Sequence, residues 1–333
     1  MIQQELPWHT PVLRDWLAGS TTLPHALLVL GTPGIGKSRL LRAFAAALLC
    51  ESPASDGRAC GRCDACGWIR AGNHPDLRVL QREPGEDGAP AREIRIDQFR
   101  AITEFCVIGS HRGGRRVVIV DPADAMNAIT ANAFLKTLEE PTAGLVFLLA
   151  SARPDAIAAT VRSRCSVRVA EGPVMDDATA WLQGQTGCTP ADAGTWLAMA
   201  GGAPLHALGF AEPTLAAAHR AMLAVVAALP ETSLVAAADG LQGRDARQWL
   251  PLLQRWLMDL GRCRAGAEPR YFPANVDRLA LLARRCDPRA LAEAGRALAQ
   301  QYRQVEHPLN ARLFCEETLA RYLGAFDSAP ADG

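Results

Sequence analysis

A chain of 333 residues is longer than one hydrophobic core usually supports, so the length predicts about two or three domains. Hydrophobic residues make up 49% of the chain and charged residues 21%, a balance that excludes extended disorder. Lysine plus arginine (35) equals aspartate plus glutamate (35), so no strong overall field draws the chain onto a polyanion. Any contact with a nucleic acid should therefore be local or shared with partners.

The first residues contain no basic stretch followed by an apolar one, and so do not resemble a secretory signal. No apolar run reaches the length of a membrane-spanning helix, so we expect no membrane contact and a cytoplasmic location. In a reducing compartment the ten cysteines are not expected to form a disulfide framework. A cluster of them therefore indicates a metal site or a redox site.

The first half of the chain alternates short apolar runs with helical patterns, which is typical of a parallel sheet with crossover helices. Predicted strands lie at residues 26–30, 77–80, 117–120 and 145–150. Each is almost entirely apolar, as expected for strands covered on both faces. The segment between the last two strands predicts one helix, which ends before Pro141 and carries on one face Ala131, Phe134, Leu135 and Leu138.

Residues 31–38 follow the first predicted strand and match the phosphate-binding pattern G-x-x-x-x-G-K-[ST] in full. In such a P-loop, backbone N–H groups and the N-terminus of the following helix attract phosphates. Lys37 would reach the β- and γ-phosphates, and Ser38 would hold Mg²⁺. The sequence therefore predicts that ATP or ADP with Mg²⁺ is bound by Gly31, Thr32, Pro33, Gly34, Ile35, Gly36, Lys37 and Ser38.

Four cysteines follow the P-loop helix with the spacing C-x9-C-x2-C-x2-C. Thiolates so close in the chain can complete a tetrahedral site, and a set of four is typical of structural zinc. The predicted zinc ligands, within residues 50–66, are Cys50, Cys60, Cys63 and Cys66. A thioredoxin-like redox role for Cys60 and Cys63 is the alternative, which the two further cysteines disfavour. His74 is a fifth candidate ligand, although a loop histidine is more often polar surface.

ATP turnover in P-loop proteins needs an acid after a second strand to hold Mg²⁺ and, in many families, a neighbouring glutamate that orients water. After the predicted strand 117–120, Asp121 can serve the metal. Pro122 stands where that glutamate would be and has no group that polarises water. Asp124 lies further along and fits a helix cap or a solvated turn residue better than a catalytic base. We therefore expect nucleotide binding without turnover.

Two sets of arginines are candidates for phosphate contacts. Arg164, in the triplet S-R-C, follows the last predicted strand. Such a residue is by default surface, but it can also be an arginine finger on the phosphates of a neighbouring subunit, and the residues alone leave both interpretations open. Arg112, Arg115 and Arg116 form a small basic turn, which we interpret as solvated surface because no aromatic residues are interleaved with it.

The second half of the chain has helical patterns only. Strand patterns end at about residue 169, and the triplet E-G-P at 171–173 is typical of a linker. Short helical patterns follow at 176–210, and longer ones beyond them include the spacing of Trp249, Leu253, Trp256 and Leu260. The predicted domains are residues 1–169, 170–209 and 210–333.

Several of these segments together resemble the clamp-loader subunits of bacterial DNA polymerase III, which are members of the AAA+ ATPase superfamily. The resemblance rests on the P-loop, the cysteine insert and the segments HALL at 25–28, NAFLKTLEEP at 132–141 and SRC at 163–165. It covers residues 1 to about 205 and continues more weakly in HPLNAR at 307–312. It implies an α/β RecA-like AAA+ P-loop domain with a zinc-binding insert, a small helical lid domain and an all-helical collar domain.

Two classes of that family share these features, the ATP-hydrolysing gamma/tau subunits and the delta-prime subunits. This sequence departs from the hydrolysing pattern at Pro122 and at residues 202–205, where hydrolysing subunits offer a phosphate-sensing arginine. Both departures favour the delta-prime class, which acts as a stator. The resemblance then implies a hetero-pentamer with gamma/tau and delta subunits that loads a sliding clamp onto primed DNA. It also implies that Arg164 completes the ATP site of a neighbouring subunit.

Two alternative functions stay open at this point. The chain could be an ATP-hydrolysing subunit of the gamma/tau type, which the intact P-loop favours. It could also be a zinc-dependent nucleic-acid-binding protein. The neutral charge and the lack of a basic or aromatic cluster around the cysteines argue against that alternative.

Overall fold

The computed structural model describes residues 5–20, 23–84, 91, 93–112, 114–305 and 310–327. Contacts divide the chain into two units, Met1–Asp177 and Ala178–Gly333. The predicted domain boundaries at 169 and 209 stay a prediction, and residues 307–309 of the segment HPLNAR lie outside the described residues. Among the described helices, none has both the length and the apolar character that crossing a bilayer requires.

The first unit is built on a parallel sheet, to which the described residues contribute five strands in the order β2-β3-β4-β1-β5. The strands are β1 (Ala26–Leu30), β2 (Leu77–Leu80), β3 (Arg116–Val120), β4 (Leu145–Ser151) and β5 (Ser166–Val169). The first four confirm the predicted strands to within one residue at each end. β5 is not among the predicted strands, because it lies at an edge of the sheet, mostly exposed, and Arg168 interrupts its apolar pattern.

Helices cover both faces of this sheet. They are α1 (Thr10–Ala18), α2 (Lys37–Leu49), α3 (Asp64–Ala71), α4 (Ile96–Ala101), α5 (Thr103–Val107), α6 (Ala128–Glu139) and α7 (Ala159–Arg162). On one face an apolar cluster includes Leu28 of β1 and Phe134 of α6, and on the other face a second cluster includes Leu27 of β1 and Phe44 of α2. Because successive strand residues point to opposite faces, burial of both faces requires strands that are apolar throughout.

The second unit consists of helices and short 3₁₀ turns in its described part. The helices, of which the first begins just before the unit boundary, are α8 (Met175–Thr186), α9 (Pro190–Met199), α10 (Pro204–Ala207), α11 (Pro213–Ala228), α12 (Leu234–Leu241), α13 (Ala246–Arg264), α14 (Val276–Arg284), α15 (Pro288–Gln304) and α16 (Ala311–Asp327). A small apolar cluster includes Leu182 and Leu197, and a larger one includes Trp249 and Trp256 of α13. The predicted buried face of α13 is confirmed by the burial of all four of its residues.

A fully buried carboxylate in α13 fixes the loop that follows this helix. Asp259 accepts hydrogen bonds from the backbone N–H groups of Arg270 (2.7 Å), Tyr271 (2.8 Å) and Phe272 (2.8 Å). Phe272 then packs against Trp256, with 5.6 Å between the ring centroids. One carboxylate thus connects the loop to the apolar core of the second unit.

We predict that Asp259→Ala lowers the free energy of unfolding of the second unit by about 3 kcal/mol, because three backbone N–H groups lose their acceptor. Chemical denaturation followed by circular dichroism measures the change. Asp277→Ala, at an exposed position of α14, should change the same free energy by less than about 0.5 kcal/mol. Equal effects of the two substitutions would contradict the anchoring role of Asp259.

Candidate functional site

The loop between β1 and α2 has the backbone shape that its glycines predict. Gly34 and Gly36 have φ values of 79° and 95°, in the left-handed region where a side chain causes strain. α2 begins directly after Gly36, and no described side chain caps its first turn. The first N–H groups of α2 therefore stay available for an anion, to which the positive end of the helix dipole also contributes.

The Lys37 side chain folds back onto this loop. Its Nζ donates hydrogen bonds to the carbonyl oxygens of Gly31 (2.8 Å) and Thr32 (2.9 Å). Burial lowers the pKa of Lys37, and the negative charges of Asp121 and Asp124 oppose that shift. Because both carbonyl acceptors are neutral, an anion at the loop would form an ion pair with Lys37 that these oxygens do not provide.

Trp8 and His9 contact the same loop, although no local sequence pattern indicates it. The indole Nε1 of Trp8 donates a hydrogen bond to the carbonyl oxygen of Ile35 at 2.9 Å, across 27 residues of sequence. His9 is buried beside it, and this burial lowers its pKa to about 4. The pair therefore presents a neutral, aromatic surface to the loop at neutral pH.

Two acidic residues follow β3, and Asp124 has partners that the sequence did not indicate. Its carboxylate accepts hydrogen bonds from Ser151 Oγ (2.5 Å) and from the backbone N–H of Ala152 (3.3 Å) at the end of β4. Arg153 adds an ion pair, with 3.0 Å between its Nε and Asp124 Oδ2. The Asp124 side chain is only 6% exposed, so its interpretation as a helix cap or solvated turn residue is wrong. The sequence did not indicate this burial because the partners of Asp124 lie 27 and 28 residues away in the chain.

The four predicted zinc ligands lie together. Each offers a sulfur, and the four Sγ atoms all lie within 4.8 Å of one another. The Sγ of Cys50 is 3.8 Å from the Sγ of Cys63 and 3.8 Å from the Sγ of Cys66. Sulfurs bound to one tetrahedral zinc at about 2.3 Å lie about 3.8 Å apart. The cysteine cluster therefore has the dimensions of a Cys₄ zinc site.

The surroundings of the sulfurs also suit a cation. The backbone N–H groups of Arg62 and Cys63 lower the pKa of the Cys60 thiol to about 6, whereas burial raises the pKa of Cys66 to about 12. A divalent cation among the sulfurs would favour the thiolate at every position. With four thiolates as ligands, no position is left for a reactive water, so the metal would be structural.

His74 is not a member of this cluster in the described residues. It is 3% exposed, so its interpretation as polar surface is also wrong. The Nδ1 of His74 accepts a hydrogen bond from the backbone N–H of Asp76 at 3.0 Å, and its ring meets the edge of Trp68. The Nε2 atom must then carry the proton of the neutral ring, and the described residues offer it no partner.

Arg112 joins the cysteine segment to the main sheet. Its guanidinium forms an ion pair with Glu51, next to Cys50 in the chain, and lies over the Trp68 ring at 5.1 Å from its centroid. Buried Asp76 holds the turn in place by accepting hydrogen bonds from the N–H groups of His111 (2.9 Å) and Arg112 (3.2 Å). Arg112 is nevertheless 48% exposed, so the interpretation of this residue as solvated surface agrees with the structure.

Arg116 does not fit the interpretation as solvated surface, because it is buried at the start of β3. Its Nη1 donates to the carbonyl oxygen of Phe105 (2.6 Å), and its Nη2 donates to Thr142 Oγ1 (2.6 Å). The buried guanidinium thus donates to neutral oxygens at this end of the sheet, while its Nε has no described partner, and it is not accessible to phosphate.

Arg164 lies between α7 and β5 and is partly exposed. Its Nη2 forms an ion pair with Glu139 at the end of α6 (2.5 Å), and its Nη1 donates to the carbonyl oxygen of Thr160 (2.9 Å). These contacts fix the direction of the side chain, while 35% of it remains accessible. Its role as an arginine finger stays a prediction.

Comparison with known proteins places this geometry in a family. Residues 13–171 match the family model described as DNA polymerase III, delta subunit. The DNA polymerase III subunit delta' of Pseudomonas aeruginosa is 42% identical over 202 residues, 60% of this chain and 60% of that protein. The delta' subunit of Yersinia pestis is 31% identical over 264 residues, 78% of this chain and 75% of that protein. The chain belongs to the DNA polymerase III delta' family.

Membership of the delta' family confirms the resemblance on which the sequence prediction rests. The match to the Pseudomonas aeruginosa delta' subunit nevertheless spans only 60% of that protein. The DNA polymerase III subunit tau of Salmonella typhimurium is also similar, at 33% identity over 141 residues, 42% of this chain and 21% of that protein. The delta' matches extend over more of the chain than the tau match.

We predict that the cysteine cluster holds about one equivalent of zinc per chain, which metal analysis of protein purified without added zinc would measure. Cys63→Ser should remove most of it, because a hydroxyl is a much poorer ligand than a thiolate. Cys188→Ser, outside the cluster, should leave the zinc content unchanged and serves as the control. A metal-free chain with Cys60 and Cys63 in a disulfide would support the redox interpretation instead.

Proposed function

We propose that this chain is the delta-prime, stator subunit of a DNA polymerase III clamp loader, and that it binds nucleotide without hydrolysing it. Family membership supports the assignment to the polymerase, and the end of β3 supports the absence of turnover. In this proposal the first unit is an AAA+ domain with a zinc insert, and the second contains a helical lid and a helical collar. The collar joins gamma/tau and delta subunits in a cytoplasmic hetero-pentamer that loads a sliding clamp onto primed DNA.

The observation that carries the proposal concerns residues 122 and 124, the two positions after β3 at which a water-activating side chain could lie. Pro122 has no polar side chain at the position after Asp121. Asp124, the other nearby acid, already accepts hydrogen bonds from Ser151 and ion-pairs with Arg153. These partners occupy both carboxylate oxygens, so Asp124 is not free to orient an attacking water. Asp121 and Ser38 are left to hold Mg²⁺, and Lys37 to hold phosphates.

A gamma/tau-type ATPase is the second candidate, because the P-loop keeps both Lys37 and Ser38. A stator without nucleotide would have no need of either residue. The two candidates differ in turnover by the isolated chain, which the stator proposal excludes.

For the isolated chain we predict nucleotide binding that depends on Lys37 and no steady hydrolysis. Calorimetry with ATP and Mg²⁺ should show saturable binding that Lys37→Ala weakens by about tenfold or more, because a charge-assisted contact to phosphate is lost. Arg39→Ala is the matched control, because it removes a positive charge two residues away and outside the motif, and it should leave nucleotide binding unchanged. Hydrolysis by the wild-type chain that Lys37→Ala abolishes would instead establish the gamma/tau candidate.

Arg164 supplies the second activity of the proposed stator, the completion of a neighbour's ATP site. Its side chain is 35% accessible, although the guanidinium is paired with Glu139 and donates to Thr160, and it would have to leave these partners to reach another subunit. A finger of this kind stabilises charge on the transferred phosphoryl group and contributes on the order of a thousandfold or more to its transfer.

In a reconstituted clamp loader we predict that Arg164→Ala lowers DNA-stimulated ATP hydrolysis and clamp loading while assembly persists. Size-exclusion chromatography checks assembly, and phosphate release measures hydrolysis. Arg162→Ala removes the same charge from an exposed position two residues away and should leave both measurements unchanged. Wild-type hydrolysis by a fully assembled Arg164→Ala complex would make Arg164 an ordinary surface residue.

A further inference from the structure

The indole of Trp8 contacts one particular peptide group of the P-loop. Its Nε1 donates a hydrogen bond to the carbonyl oxygen of Ile35 at 2.9 Å. The peptide that joins Ile35 to Gly36 is planar and trans, so this carbonyl and the Gly36 N–H point in opposite directions. An indole that fixes the oxygen of this peptide therefore also fixes the direction of its N–H group.

The Gly36 N–H belongs to the part of the P-loop that binds phosphate. Gly36 is the glycine of the G-K-[ST] triplet and directly precedes Lys37, the first residue of α2. Backbone N–H groups of this motif surround the phosphates of a nucleotide. The described residues offer the Gly36 N–H no hydrogen-bond acceptor. Its direction therefore affects how well an anion is bound at the loop.

The side chain of Ile35 fixes the other side of the same peptide. It is buried in the apolar cluster that contains Leu13 and Trp16 of α1. Ile35 also lies against the backbone of Gly31, where an added Cβ would be 2.8 Å from Ile35 Cδ1. Packing holds the Ile35 side chain and an indole holds its carbonyl oxygen, so the peptide group that follows has little freedom to rotate.

Trp8 is itself held on both sides along the chain. Its neighbours Leu6 and His9 are both buried. Before them, Glu5 pairs with Arg58 of the cysteine segment, with 3.6 Å between Glu5 Oε2 and Arg58 Nη1. The indole is therefore presented to the loop in one position before a ligand arrives, and binding does not have to order it.

Phosphate binding makes the loop more dependent on this contact. In the free chain Lys37 Nζ also donates to the loop, to the carbonyl oxygens of Gly31 and Thr32. A lysine that turns to the phosphates gives up these two contacts. The hydrogen bond from Trp8 comes from outside the motif and uses a carbonyl oxygen, so it does not compete with a phosphate for the N–H groups.

We propose that Trp8 is a positioning residue for phosphate, which acts through the Ile35 carbonyl to direct the Gly36 N–H at the bound phosphates. The inference rests on the proposed binding of nucleotide at the P-loop. It requires no contact between Trp8 and the nucleotide base. Trp8 should therefore affect the binding of pyrophosphate, which has no base, as much as the binding of ADP.

The test replaces the Trp8 indole by benzothiophene, introduced as benzothienylalanine, which keeps the ring shape and has sulfur in place of the N–H group. Calorimetry on the full chain measures the Lys37-dependent binding of ADP with Mg²⁺ and of pyrophosphate. We expect the isostere to weaken both by about threefold to tenfold, because one neutral hydrogen bond is lost. The same replacement of Trp196, in α9 of the second unit, is the matched control and should leave both affinities unchanged.

The two ligands separate the proposed role from its alternatives. Trp8→Phe, a second variant without the N–H donor, should weaken both ligands at least as much as the isostere does. Unchanged affinities in the Trp8 isostere would overturn the inference, because ring shape alone would then be sufficient. Weaker ADP binding with unchanged pyrophosphate binding would also overturn it, since the indole would then act on the base. If the wild-type chain binds neither ligand, the proposed nucleotide binding itself is wrong and the inference fails with it.

Discussion

Burial of both faces of the parallel sheet is the constraint on which the rest of the first unit depends. Side chains such as Leu27 and Leu28 point to opposite faces of β1, and both are buried under helices. No polar group can then lie within the strands without a buried partner. The groups that carry chemistry are therefore collected at the strand ends, where the P-loop follows β1, Asp121 follows β3 and Arg153 follows β4.

Charge balance at these strand ends explains why two acids can lie near a loop that is proposed to bind phosphate. Asp121 and Asp124 both act on Lys37, and without compensation they would repel an anion. Arg153 compensates for Asp124 through its ion pair, which leaves Asp121 as the acid available to a cation. In the proposed function, Mg²⁺ accompanies the nucleotide, so the remaining negative charge of Asp121 stabilises the complex. The same ion pair and the hydrogen bond from Ser151 keep the Asp124 carboxylate from orienting a water.

The sequence predicts the parts of this molecule that follow from local patterns. The four apolar strands, the end of α6 before Pro141 and the proximity of the four cysteines all come from periodicity or spacing. β5 escapes prediction because three of its four residues are exposed and it has only two apolar residues, whereas β2 at the other edge is partly buried and has three. The exposed Val167 and Val169 alternate with Arg168.

Prediction from sequence is wrong for several polar residues in loops and at strand ends. Asp124, His74 and Arg116 look like surface residues because polar side chains usually are exposed. In the structure β4 and the residues after it supply the partners of Asp124, Phe105 and Thr142 accept hydrogen bonds from Arg116, and His74 is buried against Trp68. The contact of Trp8 with Ile35 is hidden for a related reason, since 27 residues separate the partners. Such pairs depend on tertiary structure, which spacing within one segment does not encode.

The cysteine segment shows how a part of the chain without a core can still hold one conformation. From residue 51 to residue 64 no described side chain is fully buried, so the hydrophobic effect contributes little there. The ion pair of Arg112 with Glu51 is partly exposed, and such a pair alone contributes at most about 1 kcal/mol. Metal–thiolate bonds are much stronger, and they form only when the sulfurs are already close. A metal bound by the four cysteines would therefore supply most of the local stability, while Asp76 and Arg112 attach the segment to the sheet.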